Sequence, residues 1–394
     1  MKHFLFTTSI IFVLILINTG SILAIPSFAR KYGISCRTCH SPAVPKLKPY
    51  GDEFAGNAFK LTDYESPRYF MDTGDPKLSL LREFPLAVRL EGFATFNMAD
   101  DEKTDLGLPF NLKILSGGQI SEHLAYYFYF YMSERGEIAG VEDAYLMYNN
   151  LFNSELDIYA GQFQVSDPLF KRELRLSLED YEVYGSKIGV SDISLKYDKG
   201  LMFTYGFKSG TDLVFEVVNG NGLQHADEYM VFDKDKYKNL VGRISQDIGK
   251  HIRIGVFGYY GKEELFFSSL TNEVIFKGAD ATFSSGEIFQ LNLQYMNRTD
   301  ERVFDGFETL GSANTNGFMA ELLYSPGGDD SKWYALGLLN HVDSDYDPAD
   351  YASGTLHAGY ILKRNVRLVA EYTWDFTIKD YQFGRASVGF VSAF

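Results

Sequence analysis

Cysteine is nearly missing from this chain, with two residues in 394, so a disulfide-stapled scaffold is excluded. Proline is also sparse, at 11, which together with the composition excludes a collagen-like or low-complexity chain. Basic residues are in deficit: 37 Lys and Arg stand against 52 Asp and Glu, and the net charge of -15 excludes a basic nucleic-acid binder. Beyond the first residues, no stretch approaches the ~18 apolar positions of a membrane helix. What the chain has in quantity is 33 Phe, 27 Tyr and 36 Gly, 16% aromatic overall, at a mean hydropathy of only -0.15. Such a chain is rich in strand formers without being uniformly hydrophobic, which points to sheets with one apolar and one polar face.

The amino terminus has its own pattern. Lys2 and His3 precede an uncharged, mostly apolar run from Phe4 to Leu23, followed by Ala24 and Ile25-Pro26. A charged start, an apolar middle and a small residue at the cut are the parts of a secretory signal peptide, so residues 1–24 are expected to be removed on export. The rival is a retained anchor, since the run is long enough to cross a bilayer.

Both cysteines fall in Cys36-Arg37-Thr38-Cys39-His40. C-x-x-C-H is the spacing for covalent attachment of one c-type haem: two thiols meet the two vinyl groups, and the adjacent imidazole, neutral, binds the iron. Cys36 and Cys39 are the expected tethers and His40 the proximal ligand. A C-x-x-C disulfide and a thioredoxin-like redox pair use the same spacing, but no βαβ pattern surrounds Cys36. Zinc needs four ligands, and at most three are nearby. For the sixth position Met71 is the simplest axial candidate, being the one methionine between this motif and the strand-rich region. The other candidates are His123, His225, His251, His341 and His357, or no residue at all. Lys46 to Leu61 allows one or two helical turns, interrupted by Pro49 and Gly51. A segment running from Ile25 to Glu83 is too short to bury a haem alone, so it must borrow walls from the rest of the chain.

The same region resembles a known family. Ala24, Pro26, Phe28, Ala29, Arg30 and Gly33 lead into the haem motif, and Pro45-x-Leu47, Gly51 and Phe54 follow it in fixed register. This is similar to the amino-terminal signature of fused monohaem cytochrome-porins, a group that includes outer-membrane Fe(II)-oxidising cytochromes. One departure is Asn57-Ala58-Phe59, where such proteins commonly carry Asn-Gly-Tyr or Gly-Tyr. The resemblance implies one-electron transfer with extracellular Fe(II), or another external donor, on one side. On the other it implies a periplasmic carrier such as a soluble cytochrome c.

From Phe84 onward alternation has period two. In Val366 to Ile378 one face is Val366, Leu368, Ala370, Tyr372, Trp374, Phe376 and Ile378, and the other is Arg367, Val369, Glu371, Thr373, Asp375 and Thr377. Seven apolar residues on one face are enough to cross the ~25 Å apolar band of an outer-membrane barrel. Leu124, Tyr126, Phe128, Phe130 and Met132 alternate likewise with Ala125, Tyr127, Tyr129 and Tyr131, and Leu86, Val88 and Leu90 with Ala87, Arg89 and Glu91. Charged inward faces fit a watery lumen. Further segments with this grammar bring the count to about 16 antiparallel strands, an even number as bacterial barrels have. Gly249-Lys250 and Lys208-Ser209-Gly210 read as periplasmic turns, and Gln224 to Tyr237 and Asp343 to Tyr351 as outer loops. The terminal Phe394, closing an alternating strand, resembles the assembly signal of outer-membrane barrels.

Asp343, Asp345 and Asp347 place oxygen ligands at close spacing, a weak candidate for a hard divalent cation, although an ordinary solvated loop explains them too. Ile25 to Arg68 carries seven Lys or Arg against four acids, so a basic plug is expected to be drawn to an acidic lumen. The expectation is an all-β outer-membrane barrel over residues 84–394. A monohaem segment, residues 25–83, plugs it, and lipid surrounds it. A diffusion porin with a regulatory or sensory haem is the alternative.

Overall fold

The computed structural model describes residues 27–61, 70–71, 74–75, 77–81, 84–98, 103–265, 270–378 and 381–394. The expected leader lies outside the described residues. Two short helices come first, α1 (Ser27–Tyr32) and α2 (Pro49–Gly56), then a two-stranded ribbon of β1 (Phe70–Met71) and β2 (Leu80–Leu81). The barrel follows: β3 (Leu86–Asn97), β4 (Lys103–Gln119), β5 (Leu124–Glu134), β6 (Gly140–Leu151), β7 (Leu156–Gln164) and β8 (Tyr197–Gly206). Next are β9 (Thr211–Val218), β10 (Asn239–Ile248), β11 (Ile252–Leu265), β12 (Leu270–Ser285) and β13 (Phe289–Phe304). Last come β14 (Thr309–Tyr324), β15 (Trp333–Ser344), β16 (Tyr351–Lys363), β17 (Val366–Ile378) and β18 (Tyr381–Ala393).

These sixteen strands are antiparallel, each pairs with the next in sequence, and β18 pairs with β3 to close the cylinder. Closure leaves no edge with unpaired backbone groups, which is what allows a sheet to stand in hydrocarbon. Since every link joins neighbouring strands, links alternate between two ends. One end carries Gly249-Lys250, Lys208-Ser209-Gly210 and the terminal Phe394; short turns mark it as the periplasmic end. Gln224 to Tyr237 and the link after β15 lie at the other.

The alternation read from the sequence sorts the faces correctly. On β17, Leu368, Trp374 and Phe376 are exposed on the outer wall while Arg367, Val369, Glu371 and Thr373 are buried in the lumen. On β5, Ala125, Tyr129 and Tyr131 are buried inside and Met132 faces out. Phe289, Tyr324 and Trp333 meet at the periplasmic rim, with ring centroids 4.7 and 5.8 Å apart, as part of an aromatic girdle.

Two expectations need correction. Pro49 and Gly51 do not interrupt a helix: Pro49 starts α2 at its first position, where its missing N–H costs nothing, and Gly51 lies within it. The lumen is also not simply watery. The chain from Val165 to Lys196, between β7 and β8, turns inward and carries an apolar core built from Leu176, Tyr181, Val183, Tyr184, Ile193 and Leu195. The facing strands answer with Val274, Phe276, Met296, Met319, Tyr334, Leu336 and Leu338 on their inner sides. Strand β12 has apolar residues on both faces for this reason and shows no clean alternation.

Candidate functional site

The site is assembled from the chain's first described residues. Phe28 of α1 lies 5.2 Å, centroid to centroid, from Phe54 of α2 and stacks at 5.1 Å on Phe59. Phe59 stacks in turn at 5.9 Å on Tyr127 of β5. Phe54, Ala58 and Phe59 bury themselves with Ala125 and Met147 of the lumen wall, and Cys39 packs at the edge of this cluster. The small segment therefore leans on the barrel for its core, as its length demands.

Cys36 to Thr38 form one 3-10 turn, closed by the Cys39 N–H donating to the Cys36 carbonyl at 3.2 Å, which also accepts the His40 N–H at 2.9 Å. The chain then doubles back, pairing His40 with Leu47, and the Lys48 N–H donates to the Cys39 carbonyl at 3.0 Å. Helix α2 crosses this turn so closely that a Cβ on Gly51 would stand 2.3 Å from the Cys39 carbonyl oxygen. The close crossing explains why glycine stands inside a helix.

The His40 Nδ1 lies 3.1 Å from the Pro45 carbonyl and 3.2 Å from the Lys46 carbonyl. Two acceptors fix the proton on Nδ1 and leave Nε2 as the nitrogen with a lone pair to offer, as in a histidine oriented for a metal. Burial pushes the imidazole pKa down, against the pull of the two carbonyls, so the ring is held neutral. Burial likewise pushes both thiols up. A redox-active C-x-x-C pair has the opposite shift, toward thiolate. Two neutral, unbridged thiols beside an oriented neutral imidazole fit covalent attachment of haem c.

Basic side chains pin this segment to the periplasmic rim. Arg37 Nη1 is 2.5 Å from Asp330, and Lys48 Nζ is 2.6 Å from Asp329, both acids in the link after β14. Burial would raise the Asp329 pKa, but Lys48 holds it below the ordinary carboxylate value. Arg30 donates to the Leu86 carbonyl at 2.6 Å and Arg367 of β17 to the Val44 carbonyl at 2.5 Å. Lys46 Nζ approaches Glu321 of β14 at 3.7 Å. The expected attraction between a basic plug and an acidic lumen takes this form.

Above the plug, the in-folded segment is tied across the lumen. Glu173 meets Lys113 of β4 and, at 3.2 Å, Arg89 of β3; burial pushes its pKa up, but these two cations hold it below the usual range. Tyr181 donates to Glu321 at 2.6 Å, and the Leu178 N–H donates to Glu371 of β17 at 2.7 Å. Arg298 of β13 reaches back to the Ile193 carbonyl at 2.8 Å and to Ser191 at 3.0 Å. Glu321 thus touches both inserted elements. Sequence reasoning missed this segment; its one signal was the absence of period-two alternation between Gln164 and Tyr197.

The remaining sequence candidates are dispersed. Met71, on β1 opposite Leu80, is 46% exposed and makes no part of the Cys39 cluster. His123 is held by the Asn149 carbonyl at 3.1 Å and His251 by the Ser284 carbonyl at 2.9 Å, while His225 and His341 are exposed. His357 lies between Tyr334 at 3.2 Å and Glu371 at 2.9 Å, a buried structural pair. Asp345 accepts the Asn314 N–H at 2.9 Å, shaping the loop, and Asp343, Asp345 and Asp347 do not converge. Among the described residues no group of three His, Cys, Asp or Glu side chains could hold a metal ion.

The chain matches no protein-family model, and no curated protein sequence matches it. Its fold is similar to solved porins. The anion-selective porin from Comamonas acidovorans superposes with a TM-score of 0.57 at 12% identity, covering 79% of this chain and 99% of that one. OmpF of Salmonella typhi, in complex with daunomycin, gives 0.56 at 12%, covering 78% and 97%. Pseudomonas putida OprB gives 0.54 at 11%, covering 79% and 94%. The closed sixteen-stranded barrel with its apolar outer wall places the protein in the outer membrane of a Gram-negative bacterium, with lipid as its surroundings.

Proposed function

We propose that the protein is an outer-membrane cytochrome whose barrel carries a single haem c at its periplasmic end and passes one electron at a time across the membrane. The observation that carries this reading is the His40 imidazole, fixed by two carbonyls beside two free thiols. Bound there, the haem supplies one-electron chemistry. The chain's own residues do the rest. Cys36 and Cys39 tether, His40 ligates through Nε2, and α2 holds the motif against β5 and β6. The Arg37 and Lys48 ion pairs keep the site at the periplasmic rim, where a soluble cytochrome c can reach it. By resemblance the external donor is Fe(II).

The test is direct. Purified protein from a host with c-type haem maturation should keep its haem absorbance after denaturation in detergent, and Cys36→Ala with Cys39→Ala should lose it. The oxidised haem should be reduced by added Fe²⁺. Haem that remains oxidised under Fe²⁺ would remove the iron assignment, and protein without covalent haem would remove the cytochrome itself.

The likeness to porins favours a second reading, a diffusion porin with a regulatory or sensory haem. It requires a large conductance of the intact chain. The in-folded segment, bonded to strands on opposite sides of the lumen, works against that.

A further inference from the structure

Resting on the haem reading, we propose that Met147 of β6 is the second axial ligand of the iron, through its thioether sulfur. Met147 is wholly buried, and it packs with Phe54, Ala58, Phe59 and Ala125 in the same cluster that holds Cys39. Its thioether needs no hydrogen bond, so an apolar wall can present it as a soft ligand suited to haem iron.

The fold singles out this methionine. Met71, Met98, Met132 and Met230 are exposed, and Met202, Met296 and Met319 belong to the separate core built around the in-folded segment. Met147 is the one described methionine in the Cys39 cluster. The histidines compete poorly: His123 stacks on Tyr148 and has no part in the Cys39 cluster, and His357 is committed to Tyr334 and Glu371.

The wall behind Met147 is also fixed relative to the haem motif. Met147 sits in register between Ala125 of β5 and Tyr159 of β7. Two residues on and on the same face, the Asn149 side chain donates to the Gly56 carbonyl at 3.2 Å, tying β6 to the end of α2. A ligand on β6 would join the plug to the barrel through the iron itself.

The experiment compares purified haem-loaded wild type with Met147→Leu, Met71→Leu and Met202→Leu, each first shown to be folded by heat-dependent mobility in detergent gels. Wild type should show the long-wavelength sulfur-to-iron charge-transfer band of the oxidised protein. Met147→Leu should lose that band, bind carbon monoxide when reduced and shift to a lower midpoint potential, since methionine ligation raises it. Met71→Leu and Met202→Leu should retain wild-type spectra. A Met147→Leu protein that keeps the band, or a wild type that carries covalent haem without it, would overturn the assignment and leave the cytochrome reading intact. Wild type with no covalent haem would instead overturn the reading on which it rests.

Discussion

Gly51 shows how narrowly the site is built at the level of single residues. A methyl group there would sit 2.3 Å from the Cys39 carbonyl oxygen, so α2 would have to lift off the Cys-His turn. At Gly56, one turn further on, a methyl group meets nothing within 4 Å. Gly51→Ala should therefore cost about 1–3 kcal/mol of overpacking in the plug and lower the haem bound per barrel, while Gly56→Ala should keep wild-type haem content; absorbance against protein concentration reads both. Ala58 and Phe59, with φ of 53° and 59°, occupy the left-handed region that favours glycine. This is where the sequence departs from the glycine common in the proteins it resembles. Both side chains are buried, which holds the strained turn in place.

The in-folded element depends on buried charge. The Lys113 side chain is only 1% exposed and relies on Glu173 for its countercharge. Glu173→Gln keeps the shape but leaves that ammonium uncompensated, and breaking such a buried pair costs about 3–5 kcal/mol. The exposed pair of Lys236 and Glu264, 3.6 Å apart, is a contrast: solvent screens it, and Glu264→Gln should leave stability nearly unchanged. Heat-dependent gel mobility of the two variants should separate them clearly. Strand patterning was legible for β5 and β17 because lipid and lumen impose opposite polarities on alternate residues. It was not legible for β12, where the in-folded core makes the inner face apolar too.

At the scale of the whole molecule, plug and barrel are held partly by titratable contacts. Asp329 has its pKa lowered in the folded protein by Lys48, so its contribution is present above the ordinary carboxylate value near 4 and is lost as pH falls through the lower folded value. Single-channel recordings of the intact protein should therefore show low conductance at neutral pH. Conductance should rise below about pH 4 as the plug's ties weaken. A chain lacking residues 25–83 should conduct more at every pH. A large conductance of the intact protein at neutral pH would favour the diffusion porin.

The sequence by itself determined the barrel wall and its strand number, and it is the source of the proposal that Cys36, Cys39 and His40 hold a haem. Each of these follows from local rules, alternation imposed by two solvents and two thiols and an imidazole at fixed spacing. Tertiary structure alone decided that the chain from Val165 to Lys196 also fills the lumen. The in-folded segment lacks a period because its partners are spread over strands far apart in sequence, from Arg89 to Glu371. It also decided which methionine shares a cluster with Cys39. Met71 is near Cys39 in the chain, whereas Met147 is brought there by barrel closure and by the packing of α2 against β5 and β6.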